Sequence, residues 1–198
     1  MRKMMAVLPL VFALALVVGC SKPPQDNINA AMSALDSAKA SASEYAASSL
    51  QAAEDAKAAL DAELKAQQDK FALFRSYKKT DELAADLKAK AEKAASDAAA
   101  GKEQAKNDAT TAINDATTAV TDAKAMLDKA PKGKGTAADL EAMKSDLAAA
   151  ETTISDANAA MAAEKYKDAK AKADAAKASA QNVVSQVQAA IDAKAGKK

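Results

Sequence analysis

The chain has no histidine, no tryptophan and a single cysteine in 198 residues. Without histidine there is no base for an ordinary serine or cysteine hydrolase triad. Zinc and haem sites lose their commonest ligand. One cysteine cannot close an internal disulfide. Aromatic residues make up only 3%, so few large side chains are available for a broad core. Charge of one sign is not in excess. The formal net charge is +1, which carries no nucleic-acid footprint. No stretch shows sustained alternation of β-branched residues, so no strand is expected.

Alanine fills much of the space these absences leave, at 58 of 198 positions. With lysine, glutamate, glutamine and leucine it favours helix nearly everywhere. Helical spacing begins at Ile28 and continues through Met32, Leu35, Ala38, Ala42 and Tyr45. A second stretch carries Leu50, Ala53, Ala56, Leu60, Leu64, Phe71 and Phe74. FRSYKKTDEL then reads as a turn, with Thr80 as N-cap and Asp81 and Glu82 favoured by the helix dipole. The next helix holds a seven-residue unit repeated three times, DATTAIN-DATTAVT-DAKAMLD, from Asp108 to Asp128. Its seam is Ala109, Ile113, Ala116, Val120, Ala123 and Leu127. Such a heptad implies left-handed packing against another helix.

KAPKGKG, Lys129 to Gly135, is the strong break, and Thr136 is placed to cap the helix beyond it. Leu140, Met143, Leu147, Ala150, Ile154, Ala157 and Met161 form a second heptad seam. AAEKYKDA reads as a tight turn, and the last helix shows Ala169, Ala173, Ala176, Ala180, Val183, Val187 and Ile191. A helix from Thr80 to Lys129 spans ~75 Å at 1.5 Å per residue, so an elongated body is expected.

Several chemistries are weighed and set aside on the residues. Asp and Glu lie along solvated helix faces, whereas a catalytic carboxylate pair needs a concave, partly desolvated site. KGKGT, Lys132 to Thr136, lacks the first glycine of a phosphate loop and a preceding strand. No Asp-x-Asp-x-Asn-Gly calcium loop is present. No cofactor, metal or enzymatic activity is expected.

The start of the chain is of a different kind. Arg2 and Lys3 precede an almost wholly apolar run from Met4 to Val18, which ends in Val17-Val18-Gly19-Cys20. Fifteen residues are short for a membrane span, which takes about 20, and the basic flank fits an export signal. Basic start, short apolar run, aliphatic-x-Gly-Cys and polar continuation together resemble the lipobox of bacterial lipoproteins. That resemblance implies a diacylglyceryl group on the Cys20 thiol, cleavage between Gly19 and Cys20, and acylation of the new amino group. Ser21, rather than aspartate, implies sorting to the outer membrane. Residues 1–19 are then the signal peptide. Without Arg2 and Lys3 the basic residues fall from 28 to 26 against 27 acidic, a formal charge of −1.

FRSYKKTDELAADLKAKA and MAAEKYKDAKAKADAAKASA align with Tyr77 over Tyr166. Small residues stand at plus three, Thr80 and Ala169, and at plus seven, Ala84 and Ala173. This resembles the tyrosine-turn-alanine pattern of alanine-rich helical lipoprotein domains of bacteria, in which two helices fold back at such a turn. Ser76 and Lys165 stand where that pattern has glycine or aspartate. The terminal Gly196-Lys197-Lys198 weakly resembles Braun-type lipoproteins, which implies Lys198 as a point of attachment to peptidoglycan. The alanine-lysine-aspartate-threonine composition also resembles late-embryogenesis-abundant proteins, which implies a stress protectant that is disordered in water.

The expectation is thus an all-α, alanine-rich protein of elongated antiparallel hairpins packed as in a coiled coil. It comprises a lipid-anchored tether at 20–27, a long hairpin region at 28–129, a Pro/Gly linker at 130–135, a second hairpin at 136–195 and a basic tail at 196–198. Its expected partners are a membrane through the N-terminal lipid, a second copy or another envelope protein, and peptidoglycan. Ile113, Val120, Leu127, Leu140, Met143, Leu147, Ile154 and Met161 are the expected packing seam.

Overall fold

A computed structural model describes residues 22–131 and 137–195. Among these residues there are five α-helices and no strand. They are α1 (Gln25–Tyr45), α2 (Ala47–Gln68), α3 (Lys78–Asp128), α4 (Ala137–Ala162) and α5 (Tyr166–Ala195). The protein is all-α, as composition and spacing imply. It divides into two compact units, one up to Ala100 and one from Gly101. The expected division at the Pro/Gly stretch 130–135 is not where the units separate. Helix α3 gives its first part to one unit and its second part to the other.

In the first unit α1 begins at Gln25, so the last residues of the expected tether are already helical. Pro23 and Pro24 do not prevent this. Proline is tolerated at a helix start because the N–H it lacks has no partner there. The carbonyls of Pro23 and Pro24 accept the amides of Gln25 and Ile28 at 2.8 and 3.0 Å. Ala46 alone separates α1 from α2, with φ −146° and ψ 48°. Its N–H donates to Ala42 and its C=O accepts from Leu50. One residue therefore closes one helix and opens the next. Its φ is negative, so no glycine is needed.

The chain folds back at Ala46, because Lys39 reaches Glu54 at 3.4 Å across the pair. Asn27 donates to Asp81 at 2.5 Å, Ser49 donates to Asp97, and Lys79 pairs with Glu63 at 3.0 Å. These contacts set α2 antiparallel to α1 and α3, and α3 parallel to α1. The core between them is Ile28, Leu35, Leu50, Leu60 and Leu87, interleaved with alanines such as Ala31, Ala42, Ala53, Ala91 and Ala94.

The second unit repeats the arrangement with the latter part of α3, α4 and α5. Lys124 pairs with Glu151 at 2.6 Å and Lys177 with Asp115 at 2.8 Å. Its core holds Ile113, Val120, Leu127, Met143, Leu147, Val183 and Val187 with alanines between them. Ala109, Ala160, Tyr166 and Ala169 close the end beside the α4–α5 turn. Outward threonines of the seven-residue repeat satisfy themselves: Thr110, Thr117, Thr118 and Thr121 each donate to the carbonyl four residues back.

Tyr77 and Tyr166 both sit at helix starts and are buried, Tyr77 just before α3 and Tyr166 as the first residue of α5. The α4–α5 turn is sharp without glycine. Glu164 takes φ 58°, in the left-handed region. Lys165 N–H donates to Ala160 at 2.9 Å and Glu164 N–H to Met161 at 3.0 Å. This pair of bonds is the Schellman motif, which satisfies the last carbonyls of a helix.

Thr80 is not an N-cap. Helix α3 starts at Lys78, and the Tyr77 carbonyl accepts from Asp81 at 3.0 Å. Thr80 instead lies wholly buried on the seam, and its hydroxyl has no hydrogen-bond partner. The plus-three position after each tyrosine is a packing position, which outweighs capping. The Thr136 cap and the KGKGT stretch lie outside the described residues.

Candidate functional site

The expected packing seam lies inside the second unit. Ile113, Val120, Leu127, Met143 and Leu147 are buried, and Leu140, Ile154 and Met161 are partly buried against them. The structure brings all eight together on α3 and α4, in a core that α5 completes with Val183 and Val187. Gly19, Cys20 and Lys198 lie outside the described residues.

Phe71 and Phe74 are placed otherwise than their spacing implies. The helical period from Leu50 to Leu64 does not run on to them, because α2 ends at Gln68. They lie in the connection from α2 to α3, around a single 3-10 turn at Ala72–Phe74. Phe71 is 70% exposed, Leu73 66% and Phe74 75%, and the two rings are 6.4 Å apart. These three are the exposed large apolar residues among the described part of the chain. Sequence reasoning missed them as a surface. The available signal was the polar run Gln67-Gln68-Asp69-Lys70, which breaks the apolar stripe before Phe71.

The connection is held from beneath. Arg75 donates to the carbonyls of Lys70 and Gln68 at 3.0 and 2.9 Å. Gln67, itself buried, accepts the Ser76 N–H at 3.0 Å and donates to Glu63 at 2.6 Å. The bonds from Gln67 and then Lys79 hold the Glu63 carboxyl below the usual range. Polar groups thus tie down the base of the connection and leave the apolar residues at its crest. From Asp69 to Lys79 the chain carries Lys70, Arg75, Lys78 and Lys79 against one acidic residue, Asp69, and Lys79 is also paired with Glu63 of α2.

The connection stands at the end of the first unit where the described chain enters. The Asn27–Asp81 bond ties the first turn of α1 to the first turn of α3. Lys22 to Pro24 therefore approach from the side that carries Phe71 to Phe74. Adjacent helix axes are roughly 8–10 Å apart, which sets the scale of that separation.

At the other turn, Lys102 pairs with Glu164 at 2.6 Å and lies 5.9 Å from the Tyr166 ring centroid. The bond from Lys102 holds the Glu164 carboxyl below its ordinary range. This group is a surface clasp on the turn. A groove in the second unit is lined by Ala130, Pro131, Leu140, Met143, Val187 and Ala190. Among the described residues no group of histidine, cysteine or acidic side chains is placed to hold a metal ion. No helix among them is long and apolar enough to cross a membrane. No protein-family model, curated protein or solved structure matches the chain.

Proposed function

We propose that this chain is a bacterial lipoprotein, held in the cell envelope by acyl chains on Cys20, whose helical body acts without catalysis as a spacer or protein-interaction adaptor. The observation that carries the reading is the order of parts at the N-terminus: Arg2-Lys3, the apolar run Met4 to Val18, Gly19-Cys20 and then polar sequence. A single acyl chain gives only marginal attachment, at about 0.8 kcal/mol per buried methylene, whereas two or more anchor stably. Ser21 favours the outer membrane, with the helices facing the periplasm. The body supports a mechanical role through its regularity: its apolar seams are spent on its own packing, and among the described residues the large exposed apolar side chains are confined to Phe71, Leu73 and Phe74. The alternative to a plain spacer or adaptor is a Braun-like tether joined to peptidoglycan at Lys198, and digestion to muropeptides followed by mass spectrometry separates the two.

The test of the anchor is metabolic labelling with a palmitate analogue. The wild-type protein takes the label and is cleaved. Cys20→Ala takes none and accumulates as the longer precursor. Equal labelling of both overturns the reading.

A further inference from the structure

We infer that the α2–α3 connection of the first unit is a second membrane contact, in which Phe71, Leu73 and Phe74 enter the interfacial layer of an anionic lipid bilayer beside the acylated Cys20. The choice of a lipid surface rests on the lipoprotein reading. The contact itself is an addition to it.

The first argument is economy of the turn. The second unit joins α4 to α5 with Ala163 to Lys165 and buries Tyr166. The first unit buries the matching Tyr77 but uses Asp69 to Tyr77 to do so. The added residues are not needed to turn the chain. They carry three large apolar side chains, each about two-thirds exposed or more. Arg75 and Gln67 fix the base by hydrogen bonds to the backbone, so the crest is held outward rather than left to fold onto the bundle.

The second argument is position. Gln25, the start of α1, lies five residue steps beyond Cys20, and an extended chain spans at most ~3.6 Å per residue. An anchor at Cys20 therefore keeps this end of the unit within about 18 Å of the bilayer. The Asn27–Asp81 bond puts the connection at that same end. Interfacial segments sink their apolar side chains ~5–10 Å into the headgroup boundary, a depth within this reach.

The third argument is charge. Lys70 and Lys78 flank the apolar crest in sequence, Arg75 sits at its base, and Lys79 is shared with Glu63, while Asp69 is the one acidic residue from Asp69 to Lys79. Apolar residues with lysine and arginine close by in sequence match a surface of acyl chains below anionic headgroups. Lysine stems can lie along the apolar layer while the ammonium groups stay in water. Contact at both the anchor and the loop would fix the orientation of the first unit on the membrane, which a flexible leash alone does not.

The chain lacks tryptophan, so Phe74→Trp introduces a single tryptophan at the crest, which can be excited apart from the tyrosines. The exposed Ser48, next to the α1–α2 turn at the far end of the unit, gives the control Ser48→Trp. Both are made in the full chain, purified from a lipidating bacterial host and reconstituted in phosphatidylethanolamine–phosphatidylglycerol vesicles with brominated acyl chains. The expected result is a blue shift and loss of most emission for Phe74→Trp, with Ser48→Trp unchanged. Phe71→Trp gives the same result where Phe74→Trp lowers helical dichroism. Equal, unquenched emission from both ends overturns the inference. A blue shift that needs no lipid and grows with protein concentration also overturns it, since a second copy then covers the loop. Palmitate labelling of the same samples keeps the two readings apart: labelled protein with an unquenched loop leaves the anchor standing, and quenched but unlabelled protein leaves only the loop.

Discussion

Helix α5 repeats the seam of early α3 place for place. Thr80, Ala84, Leu87, Ala91, Ala94 and Ala98 in the first unit correspond to Ala169, Ala173, Ala176, Ala180, Val183 and Val187 in the second. All twelve are buried, yet the large side chains fall at different levels. The first unit places Leu87 near the turn, and the second places Val183 and Val187 further along. Ten of the fifteen buried members of the first core are alanine, against nine of sixteen in the main core of the second. Alanine layers let helix axes approach closely, but each buries little apolar area. The first unit therefore leans on fewer large residues, and losing any one of them removes a greater share of its stability.

Charge placed in the seams should separate the units most strongly. Leu87→Asp should cost about 4 kcal/mol or more, since a large buried side chain is lost and an unpaired charge is left behind. Val120→Asp should cost roughly 2–4 kcal/mol, because less apolar volume is removed. Thr118→Asp, on the exposed face, should stay within about 0.5 kcal/mol. Thermal melts followed by circular dichroism order the three. Equal melting for Val120→Asp and Thr118→Asp would show that this face is not buried in solution.

A smaller effect of opposite sign comes from the mismatch at plus three. Ala169 is silent there, whereas Thr80 buries a hydroxyl without a partner. Thr80→Ala should stabilise the first unit by about 1 kcal/mol, within the usual penalty for an unsatisfied buried group. Chemical denaturation with an unchanged slope measures this. A loss of stability would mean that the hydroxyl has a partner in solution.

The smallest effect is the response to acid. Glu63, held by Gln67 and Lys79, and Asp97, held by Lys93 and Ser49, titrate below the ordinary carboxylate range in the first unit. Glu164, held by Lys102, does so in the second. A carboxyl lowered in the folded state adds stability above its unfolded pKa and loses it as pH falls through the folded value. Melting temperature should thus be level near neutrality and decline below about pH 4. Glu63→Gln with Asp97→Asn should flatten that decline more than Glu164→Gln does. Glu164 is well exposed, Asp97 is partly exposed and Glu63 is largely covered, so high salt should weaken the Glu164 contribution most and the Glu63 contribution least. Lys170, raised by Asp174, acts in the other direction. Its contribution is present below the unfolded lysine pKa and is lost as pH rises through the folded one.

Most of the seam was legible because helical period and burial are the same fact seen twice. Ala109 to Leu127 and Ala169 to Val187 were marked by spacing alone, and the structure buries them. The turn at Tyr166 was legible from its echo at Tyr77. The fold-back at Ala46 was not, since it involves neither glycine nor proline and a negative φ that any residue adopts. The sequence by itself determined that the chain is helical, which faces are apolar, and where the tyrosines sit, because these depend only on propensity and on a period of 3.6. Only the tertiary structure decided that each seam is shared among three helices rather than two. It also decided that Thr80 packs instead of capping and that Phe71 and Phe74 leave the stripe for the surface. Those outcomes depend on which helix lies opposite and at what level, and a linear pattern of alanines carries no record of either.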